Sequence, residues 1–151
     1  MPTKYQGTQA ERRALNAFIT LVRASEAVTA ALHGPLAARH LTDSQFGVLE
    51  ALFHLGPLCQ GDLAGKLLRS CASMTSVVEG LEKRGLVVRQ RTEEDKRFVR
   101  VALTGKGRRL IQEIFPAHVS RVTGRFRVLS DLEQEQLRRL CRKLGTRAEP
   151  A

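Results

Sequence analysis

The chain has 151 residues, 42% of them hydrophobic and 26% charged, which bounds it to one globular domain, or one with an appended element, and argues against disorder. Its 25 Lys and Arg against 15 Asp and Glu leave a formal net charge of +10, a field suited to nucleic acid first and an acidic membrane surface second. Cys59, Cys71 and Cys141 lack CxxC spacing, against a disulfide framework or a tetrahedral zinc site, and no apolar leader or run of ~18 residues is seen, so a soluble, reduced, cytoplasmic protein is expected.

In chain order, the first start signal is TQAE at residues 8–11, a capping box in which the threonine oxygen takes a first-turn amide and the glutamate reaches back. Leu15, Phe18, Ile19 and Val22 follow at helical spacing, out to Leu32, and Gly34-Pro35 is expected to stop this long helix. A second box, TDSQ at 42–45, opens a helix with Leu49, Leu52 and Phe53 on its apolar side and Gly56-Pro57 at its end. Next come a short helix over 60–68 and another over 71–84. The latter is begun by Ser70, closed by Gly85 and given one buried side by Met74, Val77, Val78 and Leu81.

The hydrophobic period then changes. Residues 86–91 and 97–103 are rich in β-branched side chains, and Val99, Val101 and Leu103 alternate with Phe98, Arg100 and Ala102, as in a half-buried hairpin. A long helix over 105–129 carries Leu110, Ile111, Ile114, Val119, Val122, Phe126 and Leu129, with Pro116 expected to kink it. A third box, SDLE at 130–133, opens a last helix with Leu137, Leu140, Cys141 and Leu144 on one stripe, Cys141 expected in the core, and Gly145 at its end. The termini, 1–7 and 146–151, are expected to fray.

This order predicts a mainly α protein with a small antiparallel β-hairpin. Two short helices joined by a tight turn and followed at once by a hairpin form a winged helix-turn-helix, whose second helix enters the major groove while the hairpin reaches the flanking backbone. Charge agrees with that placement. Residues 66–109 hold twelve Lys and Arg against five Asp and Glu, so +7 of the +10 falls in 44 residues.

Three segments in this order, LTDSQFGVLEAL, GDLAGKLLRSCASMTSVVEGLEKRGLVVR and DKRFVRVALTGKG, with an acid-x-Arg pattern at Asp95 and Arg97, resemble the MarR family of transcriptional regulators. The resemblance spans nearly the whole chain. It implies a homodimer in which 8–34 and 105–145 supply dimerisation helices around a winged helix-turn-helix at 36–104, all one integrated unit. Two reading helices would then sit about one DNA turn apart on a pseudo-palindromic operator. It also implies a repressor released by a small aromatic acid, phenol or quinone, or by cysteine oxidation. Three positions depart from the family pattern: Cys59 stands where a Ser or Thr cap is frequent, Gly80 replaces a polar or basic side chain, and Gly105 weakens the start of the helix after the wing.

Candidate contacts follow from chemistry. Arg97, near the hairpin tip, suits a narrow minor groove, and Asp95, on the same side of the strand, can accept a hydrogen bond that fixes the guanidinium. Glu93 and Glu94 would then point away from phosphate. The alternative for this stretch is a solvated turn. On the reading helix, Ser70, Ser73, Thr75, Ser76 and Glu79 lie off the apolar stripe, where short hydroxyls can meet phosphates or base edges or be plain surface. Lys83, Arg84, Arg89 and Arg91 are expected to attract phosphate.

Phe18, Val22, His33, Phe46 and Phe53 are candidate effector-pocket residues, with core packing as the alternative for each. Cys59 and Cys71 stand at helix amino termini, where the sulfur meets positive partial charge, and are redox candidates; buried free cysteine is otherwise a small hydrophobe. GxGxxG, P-loop and HExxH patterns are absent from the sequence, and His33, His40, His54 and His118 are scattered, so no catalytic site, metal or cofactor is expected. The rival reading is a winged helix used as a protein-interaction module without DNA binding.

Overall fold

The computed structural model describes residues 3–67, 70–91 and 99–145. Its elements run α1 (Gln9–Ala37), α2 (Asp43–Leu55), β1 (Leu58–Cys59), α3 (Gln60–Lys66), α4 (Cys71–Lys83), β2 (Val87–Arg91), β3 (Val99–Leu103), α5 (Gly105–Phe126) and α6 (Asp131–Gly145). The chain is therefore mainly helical with a small antiparallel sheet. It forms two compact units, divided between Pro116 and Ala117.

The three capping boxes are present as bonded pairs. Glu11 N donates to Thr8 Oγ1 at 3.2 Å while Thr8 N donates to Glu11 Oε2 at 2.7 Å. Thr42 and Gln45 exchange the same two bonds at 3.1 Å each. At the third, Ser130 N donates to Glu133 Oε2 at 2.8 Å and Glu133 N to Ser130 Oγ at 3.4 Å. Each box satisfies first-turn amides that a helix cannot pair internally.

The end of α1 differs from expectation. Gly34-Pro35 does not stop the helix, which runs on to Ala37 with Pro35 inside it. The stop is a Schellman turn three residues later. His40 takes the left-handed conformation at φ 54°, its N–H reaches Ala37 O at 2.9 Å, and Leu41 N reaches Leu36 O at 2.9 Å. Leu36 and Leu41 are both buried, giving the apolar contact that accompanies this motif. Proline removes one amide near the helix end, a loss smaller than the gain from anchoring these two leucines. The end of α4 repeats the device with the glycine that the sequence places there. Gly85, at φ 68°, donates to Glu82 O, and Leu86 N reaches Leu81 O.

The core of the first unit lies under α2, α3, α4 and the sheet. Val48, Leu49 and Leu52 of α2, Leu63 of α3, Met74, Val78 and Leu81 of α4, Val101 of β3 and Ile111 of α5 are fully buried. Each such side chain contributes roughly 1.5–3 kcal/mol of transfer free energy. The sheet has the order β1-β3-β2, so the expected hairpin gains a third strand. Leu58 pairs with Val101 and Cys59 with Arg100, while Val87, Arg89 and Arg91 of β2 pair with Leu103, Val101 and Val99. A two-residue strand carries too little pattern to be read from sequence. Helix α5 starts at Gly105, supported by Thr104, whose Oγ1 accepts from Gly107 N at 3.0 Å and donates to Gly85 O at 2.6 Å.

Two apolar surfaces stay exposed among the described residues. Leu36 alone is buried in α1 among the described residues, while Phe18, Leu15, Leu21 and Val22 are exposed. By length and composition α1 passes for a membrane-crossing helix, with a mean hydropathy of 1.2 over 18 residues, and it lies near the amino terminus. That apolarity is concentrated in a stripe above a winged-helix core, as in a helix awaiting a helical neighbour.

In the second unit, the Gln134 amide closes the turn by donating to Phe126 O, the last carbonyl of α5, at 3.2 Å and to Leu129 O, just past it, at 3.1 Å. Helix α6 buries no residue. Leu132, Leu137, Leu140 and Leu144 are exposed, and so is Cys141. The expectation that Cys141 is core is therefore corrected: its stripe has the right period, but among the described residues it is exposed.

Candidate nucleic-acid interface

Helix α4 is held by its apolar side and offers its polar one. Ser70 caps it, accepting from Ser73 N at 3.1 Å, and the two hydroxyls bond at 2.9 Å. With Met74, Val78 and Leu81 fixed in the core, Ser70, Cys71, Ser73, Ser76 and Glu79 are all exposed. Short side chains on that face permit close approach of the helix to a groove. In front of it, α3 is capped by sulfur. Asp62 N donates to Cys59 Sγ at 3.4 Å, so Cys59 does the work of the usual serine or threonine.

Thr75 differs from its neighbours. It is half-buried, its hydroxyl donates to Cys71 O at 3.0 Å, and it accepts from Gln60 Nε2 at 2.5 Å. Gln60 Oε1 in turn takes a bond from Arg89 Nη2 at 3.4 Å. Arg89 then completes the path to α4. Its backbone N–H reaches Glu82 Oε1 at 3.2 Å and its guanidinium pairs with Glu82 Oε2. Both side chains of that pair are less than one-third exposed. A chain of polar contacts thus joins α3, the two ends of α4 and the root of the wing. Partial burial makes such a network stiffer than a solvated ion pair.

Arg84, at the end of α4, is also occupied. Its Nη1 donates to His40 O at 2.6 Å and its Nη2 to Arg39 O at 3.0 Å, which ties the reading helix to the corner after α1. Lys106 Nζ donates to Arg84 O at 2.9 Å, and Arg39 pairs with Glu113 of α5. Gly80 packs towards α2: a methyl group there would sit 3.0 Å from Gln45 Nε2. It faces the protein, which accounts for a missing polar side chain at that position.

Arg91 is exposed at the end of β2. Asp95 and Arg97, with Glu93 and Glu94, lie outside the described residues, as does Phe98. Sequence reasoning missed Gln60 and Glu82. Neither type nor spacing marks them, since each is identified only by what it meets across the fold.

The candidate effector residues are dispersed. Phe46 is in the core, Phe18 and Val22 are exposed on α1, and Phe53 packs edge-on against His54 and near Phe115, with the Arg108 guanidinium 6.0 Å from its ring centre. His33 lies at an open groove of about 450 Å³ lined by Ser25, Glu26, Thr29, Ala30 and Asp43, and its Nδ1 is 3.2 Å from Asp43 Oδ1.

A helix pair with a capped, hydroxyl-faced second helix, followed by a small sheet within the basic stretch 66–109, defines a winged helix-turn-helix of the DNA-binding class. The chain belongs to the MarR family. The family model described as MarR family matches residues 41–99. MhqR, an HTH-type transcriptional regulator of Bacillus subtilis strain 168, is 30% identical over 91% of this chain and 94% of its own. Among solved structures, NadR in complex with 4-hydroxyphenylacetate is similar at a TM-score of 0.77 and 29% identity, covering 98% of this chain and 100% of that one. BpsR of Bordetella bronchiseptica, whose DNA binding is described as regulated by 6-hydroxynicotinic acid, is similar at a TM-score of 0.78 and 26% identity, with the same coverage. The protein is thus a transcriptional regulator of the MarR family.

Proposed function

We propose that the chain works as a homodimer that places two α4 helices in successive major grooves of a pseudo-palindromic operator, silencing a promoter by occupying it. The observation that carries this reading is the division of α4 into a fully buried apolar side and an exposed side of short hydroxyls. Ser70, Ser73 and Ser76 are the contacts to phosphate and base edges, and Arg91 adds phosphate attraction. Asp95 and Arg97 form the wing-tip pair for the minor groove. Thr75, Arg84 and Arg89 position these elements instead of touching DNA, because each is engaged by the protein itself. Dimerisation is supported by the uncovered stripes of α1 and α6, with 8–34 and 105–145 as the pairing segments around the DNA-binding unit at 36–104. Work on chromosomal DNA assigns the protein to the cytoplasm.

Release is assigned to a small hydroxylated aromatic acid, the chemistry of the ligands named for NadR and BpsR. Phe18, Val22 and His33 are the exposed members of the candidate set able to meet such a ring. Modification of Cys59 or Cys71 is a second signal, favoured by the use of Cys59 sulfur as the α3 cap.

The test is selection of bound duplexes from fragments of the source genome, followed by anisotropy titrations at several salt concentrations and sedimentation of the free protein. A dimer with steeply salt-dependent affinity is expected. Ser73→Ala/Ser76→Ala should weaken the selected site roughly tenfold without lowering Tm, as expected for lost base-edge bonds. A monomer, or binding indifferent to salt, would replace this reading with that of a protein-interaction module.

A further inference from the structure

We infer that Arg84 is a positioning residue that sets the spacing between the two reading helices, by locking the end of α4 to the corner after α1. The inference rests on the dimeric reading above and adds to it the part that fixes its geometry.

The corner is rigid before Arg84 reaches it. Leu36 and Leu41 anchor it in the core, two backbone bonds close its Schellman turn, and the left-handed φ of His40 sets the direction of its peptide groups. Carbonyls at a helix end lack partners within the helix. Arg39 O and His40 O belong to the two consecutive residues that carry the chain out of the helix, beyond its ladder, and the Arg84 guanidinium takes both, at 3.0 and 2.6 Å. A planar fork presents two donors at once; a lysine ammonium is a single point on a flexible stem and does not match that pair. Lys106 binds the Arg84 carbonyl from the first turn of α5, so the same residue is held from its backbone side as well.

The consequence is a lever. Helix α1 has 29 residues, hence a length of ~43 Å at 1.5 Å per residue. Looseness of ~5° between α4 and α1 at this corner displaces the far end of α1 by ~4 Å, comparable to the 3.4 Å step of one base pair. If partner contacts lie along α1, play at Arg84 becomes error in half-site spacing. Arg84 therefore governs which operators fit, through geometry, without reading a base.

The experiment uses the operator selected with wild-type protein, and versions with the half-sites moved apart or together by one base pair, titrated with wild type, Arg84→Gln and Arg84→Lys. Wild type should favour one spacing at least tenfold. Arg84→Gln should bind that duplex about 2- to 30-fold more weakly, the range of coupling changes from residues outside a binding site. Its preference among spacings should shrink to within about threefold, with half-site base preference and salt slope kept. Should Arg84→Gln not fold, Arg84→Lys carries the test, with the same flattening expected and its Tm measured alongside. A salt slope reduced by about one with spacing preference intact would make Arg84 a phosphate contact and overturn the inference. So would variants that match wild type at every spacing. Failure of wild type to bind any duplex would instead sink the DNA-binding reading itself.

Discussion

Gly107→Ala is expected to destabilise the protein although alanine is the better helix former. Gly107 is buried in the first turn of α5, and a methyl group on it would lie 2.0 Å from Leu86 O, 2.9 Å from Leu86 C and 3.2 Å from Leu103 Cδ2. The first two atoms are backbone, so no side-chain rotation relieves the overlap. Restoring ordinary contact near 3.4 Å requires a shift of more than ~1 Å between α5 and Leu86. That shift strains two bonds of Leu86, the one its N–H makes to Leu81 O and the one its carbonyl takes from Thr104 N. Overpacking costs about 1–3 kcal/mol, the two weakened hydrogen bonds about 1 each, and the helix propensity of alanine returns about 1, leaving a net loss of roughly 2–4 kcal/mol. Urea unfolding followed by circular dichroism at fixed protein concentration measures it. Gly65→Ala in α3, where a methyl group meets nothing within 4 Å, is the control and should be neutral or stabilising by up to ~1 kcal/mol. If Gly107→Ala unfolds within ~0.5 kcal/mol of wild type, the close approach of α5 to Leu86 is wrong.

Met74→Ala removes a fully buried side chain beneath the reading face and should lower stability by about 2–5 kcal/mol in the same assay, with DNA affinity falling in step. Hydrogen bonds from the Ser130 amide and hydroxyl hold the Glu133 carboxyl below its ordinary value. A depressed carboxylate contributes stability above its unfolded value, and that contribution disappears as pH falls through the lower folded one. Acid titration of Glu133→Gln against wild type should accordingly show a flatter response below the ordinary carboxylate value, and parallel curves would contradict it.

Local devices were legible in the sequence and long-range partnerships were not. The boxes at Thr8, Thr42 and Ser130, the glycine stop at Gly85 and the Met74 stripe each need only a few neighbouring residues to be recognised. The end of α1 was misread because Gly34-Pro35 is a strong local stop signal, whereas His40 succeeds through Leu36 and Leu41 meeting the core. On the candidate interface, residue type marks Thr75, Arg84 and Arg89 as polar and available. Only the fold brings Gln60, Glu82 and the carbonyls of Arg39 and His40 against them. Cys141 shows the reverse case: its period is that of a buried stripe, yet among the described residues it is exposed.

The three-stranded sheet has a further consequence, in what it denies to other molecules. β3 is enclosed on both sides, leaving β1 and β2 as the rims. One rim is two residues long and the other ends at the exposed Arg91. A foreign strand finds on the first too few amides and carbonyls to copy, and on the second a charge that repels a basic newcomer. Among the described residues the sheet therefore offers no long bare edge, and crowding of this chain at high concentration should not draw it into fibres through these rims.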